Sequence, residues 1–386
     1  MNKNFILRGF INKIKINDKK KVFEHLYKIN STGSPPFFES FKKNYIYSYG
    51  KKIVSKYKNI KTINIIGMGG SSLGTKAIHS FLIHKIKKKI NFLENINLRN
   101  QNKEKKLNII ISKSGNTLET IVNFNSQFNT KDKNIIITEK RRSFLQGLAN
   151  KLKSDVIEHK NFIGGRFSVL SEVGMLPAQL MGLNEGKFKQ FNNVIKKKSF
   201  LNNLVHNVLS IYKYSKEKRF NSVILNYDPR SEDLFKWYQQ LVSESLGKNG
   251  KGIFPIISTM PKDNHSLLQL YLSGFKSNFY TFYIVEDNTS SKLNSKLLLD
   301  NFNFLKGKKI FEILNSQRKA TENIFKMKKI PFRSFYIKKR TEETMGELFT
   351  FFTLEVILLS RLLKVNPLDQ PEVEMVKKET FKILKN

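Results

Sequence analysis

The chain has 386 residues, 40% of them hydrophobic, with 69 lysines and arginines against 31 aspartates and glutamates and no cysteine. That length gives room for two or three domains around sizeable cores, and the missing thiols exclude disulfides and thiolate metal sites. The formal charge of +38 raises nucleic-acid binding. The lysines are scattered from end to end, however, with no RGG segment and no aromatic-interleaved basic repeat. The charge therefore reads as compositional bias and as a field that attracts a small anionic substrate, with no specific nucleic-acid partner.

In chain order, the opening MNKNFILRGFINKIKI has no uninterrupted apolar stretch and no small-residue cleavage site, so no signal peptide is expected. Residues 1–50 read as a helical extension that becomes loop-like after the turn cluster STGSPP at 31–36. Strand and helix signals then alternate: TINIIGMGG, then TKAIHSFLIHKI; LNIIISKSGN, then TLETIVNFNSQF; NIIIT, then SFLQGLANKL. Apolar runs ending in glycine and serine, each followed by an amphipathic segment, argue a parallel doubly wound sheet. After a helical stretch near 170–215 comes a second round: strand NSVILNY (221–227), helix EDLFKWYQQLVSESLG (232–247), and strands FYTFYIVED (279–287) and RSFYIKK (333–339). The longest apolar stretch, FTFFTLEVILLSRLL at 349–363, carries Glu355 and Arg361. It is too short and too charged to span a bilayer and reads as a buried helix. A VNPLDQP turn and a basic helix close the chain.

The expected architecture is α/β, with two tandem doubly wound, flavodoxin-like parallel-sheet lobes and a C-terminal helical tail. The divisions are 1–50, 51–205, 206–345 and 346–386. No low-complexity linker separates the lobes, so they are expected to pack closely.

Two loops carry the chemistry. GMGGSSLG, from residue 67, misses the dinucleotide fingerprint, because Ser72 stands where a third glycine belongs. It also misses a Walker loop: Gly69 and Gly74 have the spacing, but Thr75 precedes Lys76. What remains is a turn that presents backbone N–H groups and the hydroxyls of Ser71 and Ser72 at a helix N-terminus, a setting for a phosphate. The second loop, SKSGNTLET at 112–120, offers Ser112, Ser114 and Thr117 around a flexible Gly115. Asn116 is read as the helix cap, with Glu119 as its box partner. Hydroxyls without a Mg²⁺-binding acidic strand suit a phosphomonoester held statically better than a triphosphate being cleaved.

These loops and four further blocks occur in register: GGRFSVLSEVG (164–174), SESLGKNGKGIFP (243–255), NHSLLQLYLSG (264–274) and NPLDQPEVEMVK (366–377). Together they resemble the phosphoglucose isomerase family, which is built from two sugar-isomerase (SIS) lobes, and the resemblance spans about residues 63–377. It implies reversible aldose–ketose isomerisation of glucose 6-phosphate and fructose 6-phosphate through a cis-enediol, with no cofactor and no metal. By resemblance Glu244 is the base and Arg166 stabilises the enediolate. His265 and Lys377 assist ring opening, and Gln370 lies close to the sugar. Gly70, Ser71, Ser112, Lys113, Ser114 and Thr117 match the phosphate clamp, and Glu119 matches a glutamate near the active-site histidine. The resemblance further implies a cytoplasmic homodimer in which His265 reaches the site from the partner subunit. It implies no membrane association.

The chain departs from the family pattern at Ser72 (often Asp), Asn116 (Thr in some members), Glu372 (commonly Gly) and Val376 (Gly or an aromatic). Two other readings stand beside the main one: a dual-specificity isomerase that also takes mannose 6-phosphate, and a sugar-phosphate-binding protein without activity. Retention of Glu244, Arg166, His265 and Lys377 together argues against the second.

Overall fold

The computed structural model describes residues 4–10, 16–30, 34–96 and 105–385. Among the described residues ten strands form two five-stranded sheets. They are β1 (Phe5–Arg8), β2 (Thr62–Ile66), β3 (Lys89–Leu93), β4 (Leu107–Ile111), β5 (Lys133–Thr138), β6 (Asp155–Glu158), β7 (Asn221–Asn226), β8 (Phe254–Thr259), β9 (Asn278–Val285) and β10 (Phe332–Ile337).

The first sheet has the order β3-β2-β4-β5-β6 and is parallel throughout. Counted from its own first strand this is 2-1-3-4-5, the flavodoxin-like winding, whose order reverses between β2 and β4. β2 and β4 are buried along their whole length, as expected of parallel strands covered on both faces. Their isoleucines supply the apolar contacts, and a row of asparagines sets the register. Asn91 donates to Asn64 (2.9 Å), Asn64 to Asn108 (2.8 Å), and Asn108 to Asn134 (3.0 Å), crossing four strands. A slip of one residue would turn these amides to the other face of the sheet and break the row.

The second sheet has the order β1-β10-β9-β7-β8, parallel except for β1, which runs antiparallel to β10. The N-terminal region read from sequence as helical thus begins with a strand that completes the edge of the distal sheet, and only then forms the helix Ile16–Asn30. Four residues are too short for a periodic signal, and the pairing partner lies more than three hundred residues away. Residues 31–33 of the STGSPP turn lie outside the described residues.

The lobes share one continuous apolar core. The helix Leu73–Leu82, which follows the first glycine loop, packs on Glu232–Leu246, the helix that carries Glu244. Trp237 of the latter meets Phe349 edge-on at 4.7 Å. Phe349 belongs to the helix Glu342–Leu363, buried over nearly its full length. Its interior Glu355, fully buried, accepts hydrogen bonds from Arg333 and from Tyr238 (3.1 Å). Among the described residues no helix is long and apolar enough to cross a membrane.

Candidate active site

A cleft of about 460 Å³ opens where the C-terminal ends of β2 and β4 face the end of helix Glu232–Leu246 and the segment after residue 366. This is the reversal point of the first sheet, where neighbouring crossovers leave to opposite faces and a crevice forms. The cleft brings together Gly70, Ser71, Lys113, Ser114, Thr117, Arg166, Glu244, Gln370 and Lys377. Met68, Glu139, Arg141, Gly165, Gln240, Val373 and Glu374 also line it.

The first glycine loop is pressed against the third block by backbone alone. A Cβ on Gly70 would stand 2.2 Å from the Gly165 carbonyl carbon and 2.7 Å from the Arg166 nitrogen, so no side chain fits there. Ser168 donates to the Gly70 carbonyl (3.2 Å) and reinforces the contact. Ser71 faces the cleft. Ser72 is buried instead, at the start of helix Leu73–Leu82, and its hydroxyl donates to Glu94 (2.7 Å).

In the second loop Ser114 and Thr117 line the cleft, whereas Ser112 does not. Ser112 is buried beneath the loop; its oxygen accepts from the Gly115 N–H (3.1 Å) and shares a hydrogen bond with Thr117 (2.8 Å). Ser112 braces the turn from inside, the first residue past a buried strand pointing inward, while Ser114 and Thr117 line the cleft. Gly115 has φ +69°, the left-handed region that favours glycine, and its missing Cβ leaves room for Ser143. Asn116 is not the cap of its own helix. Thr117 holds that position, and the Asn116 side chain accepts from the Phe144 N–H (2.8 Å), at the start of the neighbouring helix Phe144–Leu152. Glu119 lies in the first turn of Leu118–Gln127 and does not line the cleft.

Lys113 donates to the Asn161 carbonyl (2.7 Å) and lies 3.7 Å from Glu139. Burial lowers its pKa, an effect that Glu139 partly offsets. Glu139 also pairs with Arg141 at 2.9 Å. Both follow the end of β5, the third strand at this edge of the crevice; the sequence signal was the short polar stretch after NIIIT.

Arg166 is the hub of the site. It is 3% exposed, and all five of its N–H groups are engaged. Nε donates to Ser245 (3.0 Å), Nη1 to Glu244 (2.8 Å) and Gln370 (2.6 Å), and Nη2 to the carbonyls of Pro367 (2.6 Å) and Asp369 (3.0 Å). Burial lowers its pKa from its ordinary value, against the pull of Glu244; a guanidinium stays charged through such a shift. Glu244 is 27% exposed and has its second oxygen held by Gln240 (2.9 Å), one helical turn earlier. That i,i+4 pair on the cleft face was legible in the helix and was missed. The segment 366–370 is anchored by Lys248, which pairs with Asp369 at 2.8 Å and holds that carboxyl below its usual range. Lys377 sits at the rim, 55% exposed, paired with Glu374 at 2.7 Å. His265 ends the 3-10 turn Lys262–His265, is exposed, and does not line this cleft.

The model of the phosphoglucose isomerase family matches residues 40–386, nine-tenths of the chain. The chain belongs to the phosphoglucose isomerase family. Two curated members of that family are similar to it along most of their length. The glucose-6-phosphate isomerase of Methanocaldococcus jannaschii is 32% identical over 360 residues, covering 86% of this chain and 87% of that one. The glucose-6-phosphate isomerase of Mycoplasmopsis synoviae is 33% identical over 358 residues, covering 84% and 83%. A hypothetical protein from Thermus thermophilus shares the fold at a TM-score of 0.82 and 22% identity, over 96% of this chain and 94% of that one.

Proposed function

We propose that this protein interconverts glucose 6-phosphate and fructose 6-phosphate. The observation that carries the reading is the pairing of Glu244 with a buried, fully engaged Arg166, across a cleft from hydroxyl-bearing loops, in a member of this family. Ser71, Ser114, Thr117 and Lys113 take the phosphate, with the loop N–H groups adding donors at the crevice. The other end of the open-chain sugar then lies toward Glu244.

The Glu244 carboxylate removes the C2 proton of the aldose. The electron pair forms the C1–C2 double bond of the enediol as the C1 carbonyl pair moves onto O1; the O2 hydroxyl proton passes to O1, and Glu244 returns its proton to C1 as the C2 oxygen becomes a carbonyl. Arg166 faces the oxygen on which negative charge develops. Its five N–H groups are already committed, so one Nη1 bond is exchanged for the substrate oxygen. Releasing the bond to Glu244 would free the carboxylate to act as a base in the same step. Gln370, held on Nη1, orients the sugar, and Lys377 assists ring opening from the rim.

His265 completes ring opening from the partner subunit of a homodimer. Its exposure, and its absence from the cleft of its own chain, support that part. Cytoplasmic location belongs to the same reading, and cell fractionation tests it. The direct test is a coupled assay with purified protein and fructose 6-phosphate. Turnover above blank is expected, and none at any pH from about 6 to 9 would end the proposal. Sedimentation tests the dimer. A His265→Ala chain mixed with a Glu244→Gln chain should recover activity only if the site is shared between subunits.

A further inference from the structure

Lys189 is a lysine in a place where lysines are rarely found. It is 3% exposed and lies where two short 3-10 turns end, Pro36–Phe41 and Gly165–Leu170. Its ammonium donates to the carbonyls of Ser40 and Leu170, one from the end of each turn. The rings of Tyr45 and Tyr47 stand over it, each centroid 4.9 Å from Nζ. Burial lowers the pKa of Lys189 to about 7 against the pull of Glu172 and Glu185, the first of them fully buried and accepting from Tyr45 (2.9 Å), the Ser48 N–H (3.0 Å) and the Ser48 hydroxyl (3.2 Å). A buried ion group of this kind is weak ground for stability, since apolar residues of the same volume often serve as well. What an apolar residue cannot do is bind two converging carbonyls.

The turn held at Leu170 is the one that carries Gly165 and Arg166 at its other end. Phe167, between them, stacks on Phe37 of the first turn at 4.1 Å. The two turns therefore form one body, clamped at one end by Lys189 and meeting the cleft at the other. We propose that Lys189 is a positioning residue for the isomerisation: by tying Leu170 to Ser40 it holds the turn so that the Arg166 guanidinium stays aimed at the reacting oxygen. The inference rests on the role given to Arg166 above. It assigns Lys189 no contact with substrate.

The test separates positioning from stability. Lys189→Met keeps the length of the side chain and removes the donors. Its kcat is expected to fall about tenfold or more with KM for fructose 6-phosphate within about twofold, because Lys113, Ser114 and Thr117 stand on the loop that follows β4 and not on this turn. The variant also leaves Glu172 without its counter-charge and should melt lower. The double variant Lys189→Met with Glu172→Gln removes that charge and should regain thermal stability without regaining kcat. A double variant that recovers both assigns Lys189 to stability alone and overturns the proposal, as does an unchanged kcat in the single variant or a loss confined to KM. Hydrogen exchange gives a readout free of turnover. Amides of residues 165–171 should exchange faster in the double variant than in wild type, and unchanged exchange overturns the clamp. An inactive wild type alongside faster exchange would retire the isomerase reading and leave the clamp supported.

Discussion

The closest backbone contact in the site makes the sharpest prediction. Gly70→Ala places a methyl 2.2 Å from the Gly165 carbon, 2.3 Å from its oxygen and 2.7 Å from the Arg166 nitrogen. Ordinary contact begins near 3.4 Å, so the two loops must part by roughly 1 Å. Every atom met is main chain, so no side chain can rotate away to absorb the overlap in a close-packed interior. Overpacking of this kind costs about 1–3 kcal/mol of stability. A displacement of about 1 Å at a group that stabilises the transition state costs on the order of 100-fold in rate. The expected result is kcat/KM for fructose 6-phosphate down by about two orders of magnitude, with the melting temperature lowered by a few degrees. The control is Gly147→Ala in the exposed part of helix Phe144–Leu152, where a Cβ meets nothing within 4 Å. It should leave the rate alone and add about 0.5–1 kcal/mol. A folded Gly70→Ala protein with wild-type kcat/KM would refute the claim that this contact sets the position of Arg166.

Other outcomes follow from single contacts. Glu244→Gln keeps the shape and removes the base, so kcat should fall by about 10³-fold or more while calorimetry still detects fructose 6-phosphate binding; near-normal turnover would remove Glu244 from its role. Arg333→Met strands the fully buried Glu355 and should cost about 3–5 kcal/mol in urea unfolding, whereas replacing Glu355 with Gln as well should recover part of the loss. Burial pushes His159 down to about 4 from 6.5. Its neutral ring therefore contributes stability that is complete above pH 6.5 and is lost as pH falls through the folded value. His159→Gln should flatten the fall in melting temperature between pH 6.5 and 4, and an unchanged acid limb would show that His159 does not cause it.

How much was legible follows from where each segment ended up. All six inner strands, β2, β4, β5, β7, β9 and β10, were readable, because a strand paired on both sides and covered on both faces has to be an apolar run. The four that escaped, β1, β3, β6 and β8, are the four sheet edges. β3 (KINFL) and β6 (DVIE) are partly exposed and mix charge with apolar residues, so neither period nor run marks them. The two loops were legible as glycine- and hydroxyl-bearing turns after strands because that chemistry is local. Which hydroxyl faces outward was not: Ser112 and Ser114 look alike in sequence, and only the inward direction of the buried strand β4 separates the buried brace from the hydroxyl that lines the cleft.

The sequence by itself therefore determined the two rounds of strand and helix, the turns that end them and, through the family's blocks, the reaction. Local spacing and burial of apolar runs suffice for the first two. Tertiary structure alone decided convergence. The five donors of Arg166 reach partners from 78 to 204 residues away, a strand from the N-terminus closes the far sheet, and Lys189 reaches two turns that no sequence period links. A guanidinium or an ammonium has no preference along the chain. It takes whatever acceptors the packed lobes bring within about 3 Å, and only the fold determines which those are.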